Sequence, residues 1–477
     1  MRIILKNFRV VDEETDTSAA LIIENGIITE VLSEIPVEKE DAALIIDGQK
    51  FLSNKELPNE LPVLMPAFVD LHAHFRDPGL PGFYKNDTSR HGEKSPSIEA
   101  PLPAELSLPS EVLESACLAA ASGGFGTVVC MANTKPPIDT VKKAAALKRR
   151  ADALGIVDSY PVLTLTKNME GRELSEITDI PGENGAYIPL MLSEDGKDLA
   201  DDGLFIAAMK EAKRLGIPIS CHCDFGGDEA EAAKKAGQPR GIWSRIEENN
   251  AVRRVIELGA KTGCHIHIAH VSAKEAVETI RQAKAQTGNC GTVPSGTGGF
   301  TLTCEAMPHN LCLTEEDAAA LGDESWGRVN PPLRSEEDRK ALIRAVADGT
   351  IDAIATDHAP HSIADKERGV PGFSGFETAF AAVYTELVRN NDGPKISLKR
   401  LSSLMSANPA RLLGFGDKRG RILPGYRADL VIADTEASWI VRPESFKTRG
   451  MNSPFKDHRL FGQILMTIHS GRIVFQK

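Results

Sequence analysis

Residues 63–74 have the sequence VLMPAFVDLHAH, a short apolar run that ends in two histidines. A run of this length and character indicates a strand buried on both faces, as in a parallel sheet. Side chains two positions apart on a strand point to the same side, so His72 and His74 can face one interior and bind one ion. A histidine pair alone is weak support for a metal site, so this interpretation depends on residues elsewhere in the chain.

Seven further apolar runs follow and alternate with amphipathic stretches in which apolar residues recur every three or four positions. This alternation is typical of repeated βα units around a parallel sheet. A doubly wound open sheet would typically carry a glycine-rich phosphate loop after its first strand, and the sequence has none there. Eight units therefore favour an α/β fold with a closed (β/α)8 TIM-type barrel. The runs are 63–74, 127–131, 159–164, 187–192, 218–222, 265–270, 300–306 and 353–357.

Short strand-like segments with turns at both ends of the chain predict a second, smaller domain. Asn25-Gly26 is a hairpin signal between two apolar segments, and the same pattern returns in the last fifty residues. We expect the two ends to build one small β-sandwich domain. The predicted boundaries are 1–62 and 416–477 for its two parts and 63–415 for the barrel.

The composition is that of a soluble globular protein, with 42% hydrophobic and 26% charged residues in 477. A net charge of -12 without a basic run disfavours nucleic acid as a partner. Residues 1–10 lack the apolar core of a secretory signal, and no later stretch approaches 18 apolar residues. These features predict a cytoplasmic protein without a membrane partner.

Eight cysteines are scattered along the chain, several inside apolar runs, which predicts reduced thiols and no disulfides. Cys221 and Cys223 flank His222 and raise the alternative of a thiolate metal site. A single CxC without a second pair is weak support for such a site, so packing on a strand is favoured.

Side chains that can bind metals occur where the apolar runs end, which is where barrel active sites form. Imidazole and carboxylate ligands without thiolate suit Zn²⁺ or another divalent transition ion, and such an ion activates water, which favours hydrolysis. Taken alone, Asp357 would be interpreted as a residue that stabilises a turn. Together with these ligands, it is expected to transfer the proton during hydrolysis. The predicted ligands are His72, His74, Asp195, His222, His270 and Asp357.

Strand alternation also sorts the three histidines of CHIHIAH, residues 264–270. His270 shares a face with Ile266 and Ile268 and stands at the end of the run, so it is the predicted ligand. His265 and His267 share the other face and are predicted to pack toward the surrounding helices.

Together these features resemble the amidohydrolase superfamily, in which DLHAH (70–74) would close the first strand and an aspartate would follow the eighth. Four longer motifs resemble the type I dihydroorotase family within it. They are HAHFRDPG (72–79), MANTKPPID (131–139), NPPLR (330–334) and ATDHAPH (355–361). The tail RILPGYRADLVIAD (421–434) is similar to the segment that completes the β domain of that family.

The resemblance implies one or two Zn²⁺ ions per chain, one held by His72, His74 and Asp357 and a second by His222 and His270. Many relatives bridge the ions with a carboxylated lysine, but residues 185–195 contain no lysine. Ser193-Glu194-Asp195-Gly196 resembles the aspartate version of this segment, which favours Asp195 over Glu194. The resemblance further implies that the substrate is contacted by Arg76, Asn133, Asn330 and His361.

The implied activity is the reversible interconversion of N-carbamoyl-L-aspartate and L-dihydroorotate in de novo pyrimidine biosynthesis. One alternative is another cyclic amidase, such as an allantoinase or dihydropyrimidinase, against which the missing lysine and the pair Arg76 and Asn133 argue. The other is an inactive relative that serves as a structural partner of aspartate carbamoyltransferase, against which the intact ligands argue. A homodimer and an assembly with aspartate carbamoyltransferase are both left open.

The sequence departs from the family pattern at three places. The segments 80–109 and 291–299 are unusual insertions, and His309 is followed by Asn310 where a second histidine is common. None of these departures removes a predicted ligand. They leave substrate detail and subunit contacts open, because loops on the catalytic face form both lids and interfaces.

Overall fold

The computed structural model describes residues 1–34, 43–52, 61–76, 111–180, 187–287, 300–321, 326–389 and 395–477. The two predicted insertions, 80–109 and 291–299, lie outside these ranges. Within the described residues, no helix has the length and apolar character needed to cross a membrane. Each of the seven cysteines in this part of the chain is a free thiol.

The described strands are β1 (Arg2–Val11), β2 (Asp16–Glu24), β3 (Ile27–Leu32), β4 (Leu44–Asp47), β5 (Val63–Pro66), β6 (Phe68–Ala73), β7 (Phe125–Cys130), β8 (Asp158–Pro161), β9 (Leu192–Ser193), β10 (Ile219–Cys221), β11 (Ile266–Ile268), β12 (Leu302–Ala306), β13 (Ala353–Ile354), β14 (Leu430–Ile440), β15 (Arg459–His469) and β16 (Arg472–Gln476). The described helices are α1 (Leu113–Ser122), α2 (Val141–Leu154), α3 (Asp202–Leu215), α4 (Gly227–Lys235), α5 (Arg240–Thr262), α6 (Lys274–Thr287), α7 (Pro308–Cys312), α8 (Glu315–Ala320), α9 (Glu336–Asp348), α10 (Ile363–Glu367), α11 (Phe376–Val383), α12 (Leu398–Ser402) and α13 (Asn408–Leu412).

The strands β6 to β13 form a closed parallel barrel. Hydrogen-bonded ladders join β6 to β8 and β9 to β13 in chain order. Two parallel bridges complete the ring, Leu163 with Leu192 between the two ladders and Ala73 with His358 between the last strand and the first. The predicted (β/α)8 barrel is therefore confirmed, and the carboxyl ends of its eight strands meet at one rim.

The helices between barrel strands begin and end at the local signals expected of them. The side chains of Thr140 and Asp201 accept hydrogen bonds from backbone N–H groups in the first turns of α2 and α3. The same helices end at Gly155 and Gly216, whose φ values of 64° and 69° are left-handed and suit glycine. Each helix thus returns the chain to the start of the next strand.

The ends of the chain meet in one eight-stranded sheet of the order β16-β15-β14-β5-β1-β2-β3, with β4 paired to β1. The strand β5 joins the two parts, because it pairs parallel with β1 and antiparallel with β14. The apolar run at 63–74 therefore forms two strands, one in this sheet and one in the barrel. Proline has no N–H for a ladder, and Pro66 stands where β5 ends. The small β-sandwich domain predicted from both termini is present, while its boundaries stay a prediction.

Candidate metal centre

The carboxyl ends of five barrel strands place all six predicted ligands around one point. His72 lies on β6 and His74 directly follows it, while the others follow β9, β10, β11 and β13 by one to three positions. None is more than 6% exposed to solvent. The predicted ligands thus form one buried cluster at the rim of the barrel.

Asp195 occupies the middle of this cluster. Its Oδ1 lies 3.3 Å from His72 Nε2, 3.4 Å from His222 Nδ1 and 3.8 Å from His270 Nε2. Its Oδ2 lies 3.5 Å from His74 Nε2. Two groups of side chains could each hold an ion, His72 with His74 and Asp195, and His222 with His270 and Asp195. A carboxylate shared by both groups is suited to bridge two ions.

Asp357 approaches the same cluster from β13. Its Oδ1 lies 3.1 Å from His74 Nε2 and 3.7 Å from His72 Nε2. Burial opposes ionisation, but the adjacent imidazoles of His74 and His72 outweigh it and hold the pKa of Asp357 below its usual range. The side chain is therefore a carboxylate at neutral pH.

The donors fit a divalent transition ion. His72 Nε2 is buried beside Asp195 and, among the described residues, has no hydrogen-bond partner. Four imidazoles and two carboxylates without thiolate are the ligand types that Zn²⁺ and related ions take. Burial raises the pKa of Cys221 and Cys223 well above the usual value, so these thiols stay neutral beside the centre. This agrees with the packing role predicted for them.

The neighbouring Glu194 points elsewhere. Its Oε2 accepts hydrogen bonds from the backbone N–H groups of Leu165 at 2.8 Å and Thr166 at 3.1 Å. It holds the loop after β8, while Asp195 faces the histidines. This geometry supports the choice of Asp195 over Glu194 as the ligand.

The prediction that His265 and His267 pack toward the helices is wrong. Both rings lie 2.9 Å from the hydroxyl of Thr303 on the adjacent strand β12, and His267 Nε2 lies 3.1 Å from Glu305 Oε2. The prediction extended strand alternation to His270, but β11 ends at Ile268 and His270 has a φ of 34°. A left-handed residue turns its side chain out of the alternating pattern, so residue parity no longer sorts the three histidines.

Glu305 on β12 is a residue of the site that sequence reasoning missed. It is fully buried, and its Oε1 accepts a hydrogen bond of 3.0 Å from His72 Nδ1. Burial opposes ionisation, but His267 and His72 together lower the pKa of Glu305 to about 2. A carboxylate that binds the far nitrogen of a histidine fixes its tautomer and leaves the other nitrogen for a metal. The available signal was a lone acidic residue inside the apolar run 300–306.

We expect Glu305→Gln to weaken metal binding about 10–100-fold, the usual cost of removing a partner of a ligating histidine. An amide can present its N–H to His72 Nδ1 and so favour the wrong tautomer. Competition with a chelator on purified protein measures the affinity. Glu316→Gln, on the exposed surface of α8, serves as the control, and equal affinity in both variants would contradict the prediction.

A cavity of about 230 Å³ opens above the cluster. The four residues predicted to contact a substrate all line it, and the candidate ligands line it with the exception of His72. The lining includes His74, Arg76, Asn133, Asp195, His222, His270, Asn330, Asp357 and His361. The sequence prediction that these residues meet at one place agrees with the structure, while their roles stay a proposal.

Arg76 and His361 form a pair on one wall of this cavity. Arg76 Nη2 lies 3.1 Å from His361 Nε2 and donates to it. Burial and the adjacent guanidinium lower the pKa of His361 to about 3, so the ring is neutral. Arg76 Nε is buried without a hydrogen-bond partner, and no ion pair of Arg76 is present within the described ranges. The wall therefore presents a guanidinium that has carboxylates such as Asp357 and Asp195 nearby but makes no direct ion pair with a described residue.

Two neighbouring side chains hold the amide of Asn330 in place. Its Oδ1 accepts a 2.9 Å hydrogen bond from Arg240 Nη2, and its Nδ2 lies 3.2 Å from His222 Nε2. Asp224 Oδ2 also lies 3.1 Å from that nitrogen. The Nε2 nitrogen of His222 thus has polar partners, while its Nδ1 nitrogen is directed toward Asp195.

A closed (β/α)8 barrel with histidines and carboxylates at the carboxyl ends of its strands defines a class of metal-dependent hydrolases. The chain belongs to the amidohydrolase family, whose model matches residues 63–474. The resemblance that the motifs indicated is thereby confirmed.

Its relatives include the dihydroorotase of Clostridium botulinum (strain Eklund 17B / Type B), 34% identical over 477 residues and covering 100% of both chains. The dihydroorotase of Thermoanaerobacter sp. (strain X514) is 35% identical over 492 residues, covering 100% of this chain and 98% of the relative. Among solved structures, the L-hydantoinase (dihydropyrimidinase) of Arthrobacter aurescens has a TM-score of 0.77 at 24% identity, covering 100% of this chain and 96% of its own. A D-hydantoinase has a TM-score of 0.76 at 21% identity over 100% and 95% of the two chains. The structural likeness shows the shared fold alone.

Proposed function

We propose that this amidohydrolase is a dihydroorotase, which interconverts L-dihydroorotate and N-carbamoyl-L-aspartate. The observation that carries the proposal is the guanidinium of Arg76, which lines the cavity beside the candidate metal centre and makes no direct ion pair with a described residue. The relatives named dihydroorotase support this proposal, since they match the full length of the chain.

The charge of Arg76 separates the proposed substrate from those of other cyclic amidases. L-Dihydroorotate carries a carboxylate next to its ring amide, and a guanidinium is the natural partner of a carboxylate. Hydantoin and dihydropyrimidine rings are neutral and would leave the guanidinium of Arg76 without a direct carboxylate partner. The neutral ring of His361 adds no competing charge. The cavity therefore favours a cyclic amide that bears an anionic group.

The residues of the cluster would hold one or two divalent ions, for which Zn²⁺ is our proposal. When bound, such ions activate water and polarise the carbonyl that it attacks. One ion would be held by His72, His74 and Asp357 and a second by His222 and His270, with Asp195 between them. All six side chains are buried, which shields their polar atoms from bulk water.

Asp357 is the proposed acid and base. In the hydrolytic direction a water oxygen forms a bond to the ring carbonyl carbon, and the bond from that carbon to the ring nitrogen breaks. The ionised carboxylate of Asp357 lines the cavity and takes the proton of the water. It then delivers that proton to the leaving nitrogen. Arg76 holds the substrate carboxylate, with His361 beside it on the same wall, so the ring amide faces the cluster.

The test is turnover of L-dihydroorotate, followed by the ultraviolet loss of the ring amide, with the metal content quantified beside it. We expect turnover that disappears on chelation and returns with Zn²⁺. Bound metal without turnover would contradict the proposal. Hydantoin, allantoin and added aspartate carbamoyltransferase would then be tested in that order, since they correspond to the two alternative functions.

A further inference from the structure

The amide of Asn133 lies between two of the candidate metal ligands. Its Oδ1 is 2.8 Å from His74 Nδ1, and its Nδ2 is 2.9 Å from Asp195 Oδ2. The motif resemblance assigned this residue to the substrate. In the structure, however, both polar atoms of the side chain contact residues of the cluster.

These two contacts have definite donors. The amide oxygen can only accept, so His74 donates to it from Nδ1, and the neutral ring with that proton would offer the lone pair of Nε2 to an ion. That nitrogen faces the centre, 3.1 Å from Asp357 Oδ1. The amide nitrogen donates to one oxygen of Asp195 and leaves the other, Oδ1, close to His72 and His222. One side chain thus sets the tautomer of one ligand and the direction of another.

Among ordinary side chains, a primary amide is suited to this place because it accepts and donates at the same time. His72 and His222 have carboxylate partners on their far nitrogens, Glu305 and Asp224. A carboxylate at position 133 would put a second negative charge beside Asp195 and could not donate to it. The neutral amide satisfies both neighbours without that repulsion.

The surrounding backbone holds the amide in position. Gly196 has a φ of 83°, and a Cβ there would lie 3.2 Å from Asn133 Nδ2. On the other side, the N–H groups of Thr134 and Ile138 both donate to the carbonyl of Ala132 and close the loop that carries Asn133. This loop follows β7, which contributes none of the six candidate ligands. The contribution of β7 to the centre is therefore Asn133.

We propose that Asn133 is a positioning residue of the metal centre, which fixes the Nδ1–H tautomer of His74 and the orientation of Asp195. The proposal rests on the proposed function only in requiring that the cluster binds divalent ions. It does not depend on which cyclic amide is the substrate.

The experiment compares metal binding by full-length wild type, Asn133→Leu and Arg172→Met, each stripped of metal by chelation and titrated without substrate. Leucine keeps the shape of asparagine and removes both polar atoms. Arg172→Met is the control, since the Arg172 side chain is 84% exposed and its ion pair goes to Glu170. Co²⁺ and Zn²⁺ are the probes, with affinity from chelator competition and ligand geometry from the visible absorption of bound Co²⁺.

We expect Asn133→Leu to bind both ions at least about tenfold more weakly than wild type, with an altered Co²⁺ spectrum, while Arg172→Met keeps wild-type values. Wild-type affinity and spectrum in Asn133→Leu, with only a higher KM, would overturn the proposal and return Asn133 to the substrate. If the wild type binds neither ion, the proposed function fails as well, which distinguishes the two failures.

A second variant keeps the test decisive if Asn133→Leu does not fold. Asn133→Ala removes both polar atoms without adding bulk to the loop after β7. It leaves the sequence of all six candidate ligands and of Gly196 unchanged. We expect weaker Co²⁺ binding and a changed spectrum in this variant too, and unchanged values would overturn the proposal.

Discussion

Asp357→Asn abolishes turnover of L-dihydroorotate and leaves the metal content near that of the wild type. The amide can still offer an oxygen toward His74, 3.1 Å away, but it cannot accept the proton of the attacking water. Loss of a positioned acid and base costs about 10²–10⁴-fold, and the leaving nitrogen also loses its proton donor, so we expect a loss at the upper end. Initial rates and metal analysis on the same sample measure both effects.

Asp228→Asn is the matched control, because Asp228 is exposed on the surface of α4 and undergoes the same chemical change. It should retain full activity. Full activity in Asp357→Asn would remove Asp357 from the mechanism. Loss of the metal together with activity would instead assign it a role as ligand alone.

Arg76→Met lowers kcat/KM for L-dihydroorotate and has little effect on metal content. Removing one partner of a buried charge pair costs about 2–5 kcal/mol, which is roughly 30-fold or more in kcat/KM. Arg76→Lys should recover only part of this, because lysine keeps the charge but lacks the planar fork that matches a carboxylate. Steady-state kinetics are measured with L-dihydroorotate and with a neutral dihydropyrimidine. Loss of the carboxylate contact lowers kcat/KM for L-dihydroorotate alone, whereas general damage to the enzyme lowers it for both.

Arg172→Met provides the control for Arg76, since the Arg172 side chain is 84% exposed. It should leave kcat/KM unchanged. An unchanged value in Arg76→Met would show that the cavity does not bind the substrate carboxylate through this residue. The main reason to prefer a dihydroorotase over a hydantoinase would then be lost.

The barrel and the candidate ligands could be predicted because their signals are local. Each buried strand is a short apolar run, and a ligand at its end is a neighbour in sequence of that run. His72, His74 and Asp357 were found in this way, and the closure of the barrel brings them together. Arg76 and His361 needed the family motifs, since nothing in their immediate sequence distinguishes them from surface residues.

The prediction for His267 failed because the alternation of side chains along a strand assumes that the strand continues. The backbone leaves the strand at Ala269 and adopts a positive φ at His270, which no apolar pattern reveals. The opposite face of β11 therefore contacts Glu305 and Thr303 inside the barrel. A residue pattern describes a regular element and not the point at which the element ends.

The sequence by itself determined the class of fold, the strand ends and the set of side chains that can bind a metal. Only the tertiary structure decided how those side chains are held. Glu305 and His72 are 233 positions apart, and Asn133 and Asp195 are 62 apart, yet each pair shares a hydrogen bond. Such partners depend on barrel closure, on the turns after each strand and on rotamers chosen by packing. These are properties of the whole fold, whereas the periodicity that predicts a strand acts between near neighbours in the chain.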